Sequence, residues 1–294
     1  MEYVLTLSCA DRVGIVHAVA AYLHRTGCNV LDSQQFGDRI AGRFFMRVHV
    51  EALPAAEGAP PVSRDDLARG FAEVASEFGM DWQLHDTAVR PRALIMVSKA
   101  GHCLNDLLYR RTAEALNIDV PLVVGNHTDL AGLAAAHGVP FEHIPVQPGM
   151  RPGEPLSKEL AEERLLELIA ELRIDFVVLA RYMRILSAEL CEKLPGRIIN
   201  IHHSFLPSFK GARPYQQAHT RGVKLIGATA HYVTADLDEG PIIEQEVVRV
   251  DHAYAPEDLA AIGRDAERIA LARAVRWHAE HRILLHGHRT VIFR

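Results

Sequence analysis

The chain has 294 residues, 49% of them hydrophobic, which is enough for two modest domains that each bury a core. Its 32 basic and 37 acidic residues give a net charge of −5, and the basic residues form no long run, so no nucleic-acid partner is expected. The sequence shows neither a long apolar segment nor a secretory leader pattern, so no membrane partner is expected. The four cysteines lack a CxxC spacing and are typical of reduced thiols, which favours a cytoplasmic protein acting on a small molecule.

Residues 1–86 predict the element order strand, helix, strand, strand, helix, strand. An apolar strand pattern over Tyr3–Leu7 precedes a helical spacing of apolar residues from Ile15 to Leu23, and Gly27 is typical of a helix end. The later elements are a strand from about Asn29, a strand over 42–50, a helix over 64–78 and a strand over 81–86. The proline-rich stretch Leu53–Pro61 is predicted to be a surface loop.

This order and the turn Asp11-Arg12-Val13-Gly14-Ile15 resemble the ACT domain, a ferredoxin-like βαββαβ module that commonly binds amino acids at paired subunit interfaces. The resemblance implies a homo-oligomer and an amino-acid effector, with Asp11, Gly14 and Asn29 as effector-binding residues. A glycine in the turn permits close backbone approach, and a helix N-terminus offers free N–H groups to a carboxylate. The alternative is structural: Asp11 caps the helix and Gly14 only makes the turn.

Residues 87–294 predict a second domain in which strands alternate with helices. The expected strands cover 93–97, 121–125, 141–145, 176–179, 198–201, 226–233 and 242–250, and the expected helices cover 102–116, 129–137, 158–172, 187–194 and 256–281. A hairpin-like tail surrounds Gly287. Strands joined by helical crossovers predict a doubly wound, mostly parallel, Rossmann-like α/β sheet, with ligands at the carboxyl ends of its strands.

Two polar clusters follow apolar strands of this domain, at residues 200–207 and 231–240. Asn200 and His202 are two residues apart and point to the same side of a strand. If the two strand ends meet, an amide donor, a titratable imidazole and the carboxylate of Asp238 come together. That set suits attack of water on a formyl group, because the oxyanion needs a fixed donor and the water must lose a proton. Either His202 or Asp238 could accept that proton.

No covalent nucleophile and no metal are expected at these clusters. Ser204 lacks the G-x-S-x-G context of an activated serine. His202, His203, His231 and Asp238 are numerous enough to bind zinc, but adjacent histidines diverge on a strand and no HxxxH helix is present. We therefore expect catalysis without a metal or other cofactor.

The stretch 200–245 resembles the folate-dependent formyltransferase family through Asn-Ile-His, Ser-x-Leu-Pro and Leu-Asp-x-Gly-Pro-Ile-Ile. The resemblance extends from about Arg92 to the C-terminus and implies that Asn200, His202 and Asp238 are catalytic. The segment Arg181-Tyr182-Met183-Arg184-Ile185-Leu186 resembles the pterin-lining segment of that family. The substrate-binding residues that the resemblance implies are Arg184, Leu186, His231 and Gly240.

Within that family, three classes of enzyme that act on formyl groups need to be distinguished. The glycinamide ribonucleotide enzymes carry a glycine-rich phosphate loop, whereas residues 97–105 contain one glycine, Gly101. The methionyl-tRNA enzymes carry an added domain and a basic surface, whereas this chain is acidic. The chain instead resembles the formyltetrahydrofolate deformylase family. The resemblance is carried by the ACT-like part and by three segments: Lys99-Ala-Gly-His-Cys-Leu, His202-His203-Ser204-Phe205-Leu206-Pro207 and Gly211-Ala-Arg-Pro-Tyr215.

That resemblance implies hydrolysis of 10-formyltetrahydrofolate to formate and tetrahydrofolate, which supplies formate to one-carbon and purine metabolism. Two alternatives remain open from the sequence. One is a formyltransferase that uses the same donor, and the other is a noncatalytic folate or amino-acid sensor.

Overall fold

Two units make up the fold in a computed structural model that describes residues 1–54, 59–147, 150–151, 154, 157–206 and 214–294. The first unit comprises Met1–Arg90 with Glu280–His286 and Val291–Arg294, and the second comprises Pro91–Ala279 with Gly287–Thr290. Within the described ranges, no helix is long and apolar enough to cross a membrane. The predicted loop Leu53–Pro61 includes 55–58, which lie outside the described residues.

The first unit has the predicted βαββαβ order. Its elements are β1 (Glu2–Ala10), α1 (Ile15–Arg25), β2 (Cys28–Asp38), β3 (Arg43–Ala52), α2 (Arg64–Phe78) and β4 (Asp81–Asp86). The strands lie in the order β2-β3-β1-β4, each antiparallel to its neighbour. Alternate residues of β1, including Leu5 and Leu7, join a core with Leu23 and Phe71 from the two helices. The ACT-like fold prediction is therefore confirmed.

The second unit is built on a seven-stranded sheet in the order β11-β10-β9-β8-β5-β6-β7. Its strands are β5 (Arg92–Val97), β6 (Asp119–Gly125), β7 (Phe141–His143), β8 (Phe176–Leu179), β9 (Ile198–His202), β10 (Leu225–Tyr232) and β11 (Ile242–Arg249). Its helices are α3 (His102–Thr112), α4 (Ala131–Ala136), α5 (Lys158–Glu171), α6 (Ala188–Lys193), α7 (Pro214–Arg221) and α8 (Pro256–Ala279).

Strands β5 to β9 are parallel, and β10 and β11 are added in antiparallel fashion. The chain extends from β5 through β6 to β7, then returns to place β8 and β9 on the other side of β5, so the doubly wound, mostly parallel prediction is confirmed. Parallel strands covered on both faces have continuous apolar sequences, and β5 is buried from Ala93 to Val97. Helix α3 ends before the predicted 116 because Glu114 takes a left-handed φ of 56°.

The C-terminal segment, which includes β12 (Ile283–His286) and β13 (Arg289–Ile292), contributes most of its residues to the first unit. The ring of His281 stacks on His85 with 3.4 Å between centroids, and His286 Nε2 lies 3.2 Å from Asp38 Oδ2. Buried Arg47 donates to the Glu280 carbonyl oxygen at 3.2 Å. These contacts explain why the first unit contains C-terminal residues that the sequence division at 86/87 placed in the second domain.

Candidate active site

The two polar clusters lie together where β9 and β10 pair. Asn200 is opposite His231 in the antiparallel register. Asn200 Nδ2 lies 3.2 Å from His231 Nε2, and His202 Nδ1 lies 3.2 Å from Asp238 Oδ1. The structure therefore brings the predicted catalytic residues to one place, with His231 between the amide and the carboxylate.

The turn after β10 fixes the position of Asp238. Asp238 has a left-handed φ of 57°, a conformation in which aspartate is several-fold enriched among non-glycine residues. A Cβ at Gly240 would lie 1.8 Å from the Tyr232 carbonyl oxygen, so glycine is required for the chain to return along β10. Gly240, predicted to bind substrate, is not among the pocket-lining residues; it acts on the backbone that carries Asp238.

The charge state of the site follows from its contacts. Burial favours the neutral form of Asp238, but the hydrogen bond from His202 opposes burial, and the pKa of this carboxyl group lies below its ordinary value. Asp238 is therefore a carboxylate at neutral pH. It is better suited to orient His202 and stabilise its imidazolium form than to remove a proton from water.

The tautomer of His231 orients Asn200. His231 Nδ1 lies 2.8 Å from the Tyr232 carbonyl oxygen, which can only accept, so Nδ1 carries the proton. In the neutral ring Nε2 is then an acceptor and takes one N–H of the Asn200 amide. The other N–H of that amide remains available to an oxygen in the pocket.

A pocket of about 240 Å³ surrounds these groups at the carboxyl ends of β8 and β9, as the sheet topology predicts. Both Arg184 and Leu186, the predicted folate contacts, line it. Arg184 is held in place because its Nη2 donates to the Val146 carbonyl oxygen at 3.0 Å. Among the described residues, buried His202 Nε2 has no hydrogen-bond partner, which leaves this nitrogen for a reactant because Nδ1 faces Asp238.

A buried carboxylate near the pocket escaped the sequence analysis. Glu267 on α8 is 1% exposed; it is bonded to His102 Nε2 at 2.7 Å and Tyr215 OH at 2.8 Å, and Arg181 Nε lies 3.4 Å away. Burial opposes its ionisation, but His102, Arg181 and Tyr215 outweigh burial and lower the pKa of Glu267. One feature of the sequence could have indicated this buried carboxylate. Glu267 is a charged residue on the apolar face of α8, one position after buried Ala266 and three before buried Ala270.

Three side chains of the types that bind metals meet at Glu267. His102, Cys103 and Glu267 form the one group of metal-type donors, among the described residues, whose ligand atoms all lie within 4.8 Å of one another. Burial and the charge of Glu267 raise the pKa of the Cys103 thiol, so the thiol is protonated in this environment. The carboxylate of Glu267 already has its hydrogen-bond donors.

The candidate effector residues of the first unit lie apart within one chain. Gly14 is the N-cap of α1, with φ of 100° and no capping side chain, so the alternative in which Asp11 caps this helix is wrong. Asn29 pairs with Glu51, which pairs with Glu2, whereas Asp11 follows the other end of β1. The length of β1 separates the two by roughly 26 Å, so one chain does not bring Asn29 together with Asp11 and Gly14.

Comparison with known proteins defines the class of this chain. Residues 91–275 match the formyl transferase family model, and residues 3–59 match the ACT domain model. The chain is 50% identical to the formyltetrahydrofolate deformylase of Corynebacterium sp. (strain P-1), over 100% of this chain and 99% of that protein.

Solved structures agree with this assignment. Formyltetrahydrofolate deformylase from Burkholderia mallei is similar with a TM-score of 0.90 and 49% identity, covering 100% of this chain and 99% of that one. Glycinamide ribonucleotide transformylase 1 from Symbiobacterium toebii is similar with a TM-score of 0.64 and 30% identity, covering 72% of this chain and 97% of that one. The chain belongs to the formyltetrahydrofolate deformylase family.

We expect His202→Ala and Asp238→Asn each to lower kcat by ~10² or more, as for positioned acid-base groups, while folate binding is largely retained. Steady-state kinetics and equilibrium binding of tetrahydrofolate measure the two effects separately. His219→Ala and Glu239→Gln are matched controls, because both side chains are exposed and neither lines the pocket. Turnover close to that of the unchanged protein in either site variant would remove that residue from the mechanism.

Proposed function

We propose that this chain hydrolyses 10-formyltetrahydrofolate to formate and tetrahydrofolate. The observation that carries the proposal is the convergence of Asn200, His202 and Asp238 on one pocket wall, with His202 Nδ1 3.2 Å from the carboxylate. The pocket also presents the segment around Arg184 and Leu186, on which the folate would bind.

The reaction begins when water attacks the formyl carbon. The carbonyl oxygen then becomes an oxyanion, and the free N–H of Asn200 stabilises it. Removal of one such donor typically costs about 10² to 10³ in kcat. Because His231 fixes the amide, the donor is already oriented before charge develops.

His202 moves the proton in this mechanism. It accepts a proton from the attacking water, and Asp238 stabilises the imidazolium form that results. The tetrahedral intermediate then collapses, the bond from carbon to the folate nitrogen breaks, and that nitrogen receives the proton from His202. Formic acid loses its own proton to solvent and leaves as formate, so water supplies one oxygen to the product.

The buried Glu267 favours water over a phosphorylated acceptor. His102, the first residue of α3, lies in the region where the related transferases bind phosphate through a glycine-rich loop, and it is held by Glu267. A carboxylate at that position repels an anionic group and occupies the donor that would bind it. A noncatalytic sensor is less favoured, since pterin binding alone needs no amide, imidazole and carboxylate in this arrangement.

Regulation by an amino acid belongs to the first unit. We place the effector against Asp11 and Gly14, where the N-terminus of α1 has no capping side chain. Asn29 could complete such a site only from a second copy of the chain, which supports a homo-oligomer. A cytoplasmic location remains a prediction that rests on four free cysteines.

We expect formate and tetrahydrofolate to form in equal amounts from 10-formyltetrahydrofolate, with no added amine or metal. Glycinamide ribonucleotide and methionyl-tRNA should give no stimulation, and a chelator should give no inhibition, because no step uses an acceptor or an ion. Product quantification with and without each addition tests this. Formate release at only the uncatalysed rate, with rapid transfer once an acceptor is present, would establish a transferase instead.

We expect hydrolysis to respond to an amino acid, with methionine and glycine as the first candidates, and Asp11→Ala to abolish that response. Basal turnover should stay within about twofold, since Asp11 has no part in the chemistry. Rates measured across an amino-acid panel for both proteins test this. A response unchanged in the variant would place the effector elsewhere.

A further inference from the structure

His203 is a second histidine on the wall of the catalytic pocket, and the mechanism above gives it no role. It lines the same pocket as Asn200, His202 and Asp238. Its ring lies 5.1 Å from that of His202, measured between centroids, at an interplanar angle of 34°. Two neighbouring imidazoles therefore face one small space, and of these two, within the described part of the chain, only His202 is paired with Asp238.

His203 also lies near the Glu267 cluster, which we define as Glu267, His102, Tyr215 and Arg181. The Tyr215 ring lies 6.5 Å from that of His203, and its hydroxyl group donates to Glu267. Arg181 lines the pocket and forms an ion pair with the same carboxylate. The cluster therefore connects the buried carboxylate to the pocket wall through two side chains.

The cluster carries energetic costs that packing alone does not explain. Arg181 has a left-handed φ of 64°, and its buried Nε makes no hydrogen bond with the described residues, although Glu267 Oε2 lies 3.4 Å away. A buried ion pair is weak evidence for stability, because the desolvation of both charges offsets their attraction. Strained and desolvated groups of this kind concentrate at functional sites.

His203 is neutral at working pH. Burial, with the charge of Arg181 and the neighbouring His202 acting in the same direction, lowers the pKa of His203 to about 4. A neutral imidazole has one ring nitrogen with a proton and one without, so it can accept a hydrogen bond while it does not compete for the proton itself. It is thus a poor base but a suitable fixed acceptor for a water molecule.

We propose that His203 is a further catalytic residue: its neutral ring accepts a hydrogen bond from the attacking water and holds that water at the formyl carbon, while Glu267 is a positioning residue for this wall. This inference rests on the proposed hydrolysis. The water oxygen bonds to carbon, its transferred proton goes to His202, and His203 keeps its own proton throughout. Two histidines thus divide the work between proton transfer and placement of the nucleophile.

The test uses the full-length chain and the variants His203→Phe, His203→Asn and Glu267→Gln. Phenylalanine keeps the ring volume without an acceptor, and asparagine keeps an acceptor. Each is assayed for formate release and for capture of the formyl group by added hydroxylamine, a nucleophile that does not depend on the water position. Circular dichroism establishes that each variant is folded, and a binding measurement establishes that it still binds tetrahydrofolate.

We expect His203→Phe to lower kcat for hydrolysis at least about tenfold, with KM changed by less than about threefold, since misplacement of a reactant acts on the chemical step. His203→Asn should retain more hydrolysis than His203→Phe. Hydroxylamine should restore turnover in His203→Phe and Glu267→Gln but not in His202→Ala.

Hydrolysis by His203→Phe at the rate of the unchanged protein would overturn the inference, and so would a loss that hydroxylamine does not restore in either His203 variant. Neither result would affect the proposed function, which fails if the unchanged protein releases formate no faster than the uncatalysed rate.

Discussion

The contact between His202 and Asp238 is the interaction on which the site depends. It joins the end of β9 to the turn after β10, and it forms only because those strands pair in antiparallel register. The required geometry has a backbone cost, since Asp238 has a positive φ and Gly240 must approach the Tyr232 carbonyl oxygen closely. In return the imidazole has a fixed orientation and a carboxylate that stabilises its charged form.

The sheet that positions His202 and Asp238 also positions the residues that line the pocket beside them. The carboxyl ends of β8 and β9 open onto the pocket, and the loop after β8 supplies the segment that contains Arg184. Helix α8 contributes Glu267, which neutralises Arg181 and immobilises His102. Glu267 therefore connects α8 to α3 and to the loop after β8, which lines the pocket.

Sequence patterns predicted the elements well where the physical signal is local. Buried parallel strands are continuous apolar runs, as in residues 93–97, and residues two apart on a strand share a face, which placed Asn200 with His202. Glu267 was missed because its partners lie on α3, α7 and the loop after β8, and no motif connects them. The separation of Asp11 from Asn29 depends on strand register, which the local pattern does not specify.

The C-terminal segment shows the same limit in the fold. A hairpin-like tail was predicted around Gly287, but its association with the first unit depends on contacts such as His281 with His85, which are far apart in sequence. Such pairings leave no periodic signal in either segment. By contrast, the packing of helices α1 and α2 against the four-stranded sheet of the first unit follows from the helical spacing of apolar residues such as Leu23 and Phe71.

The central claim is that water, activated by His202 and Asp238, attacks the formyl carbon. A single turnover of 10-formyltetrahydrofolate in water enriched in ¹⁸O, followed by mass spectrometry of the formate, tests it most directly. The account predicts formate that carries one oxygen from the solvent and tetrahydrofolate that carries none. Formate without solvent oxygen, or a formyl group recovered on the protein or on another acceptor, would contradict it.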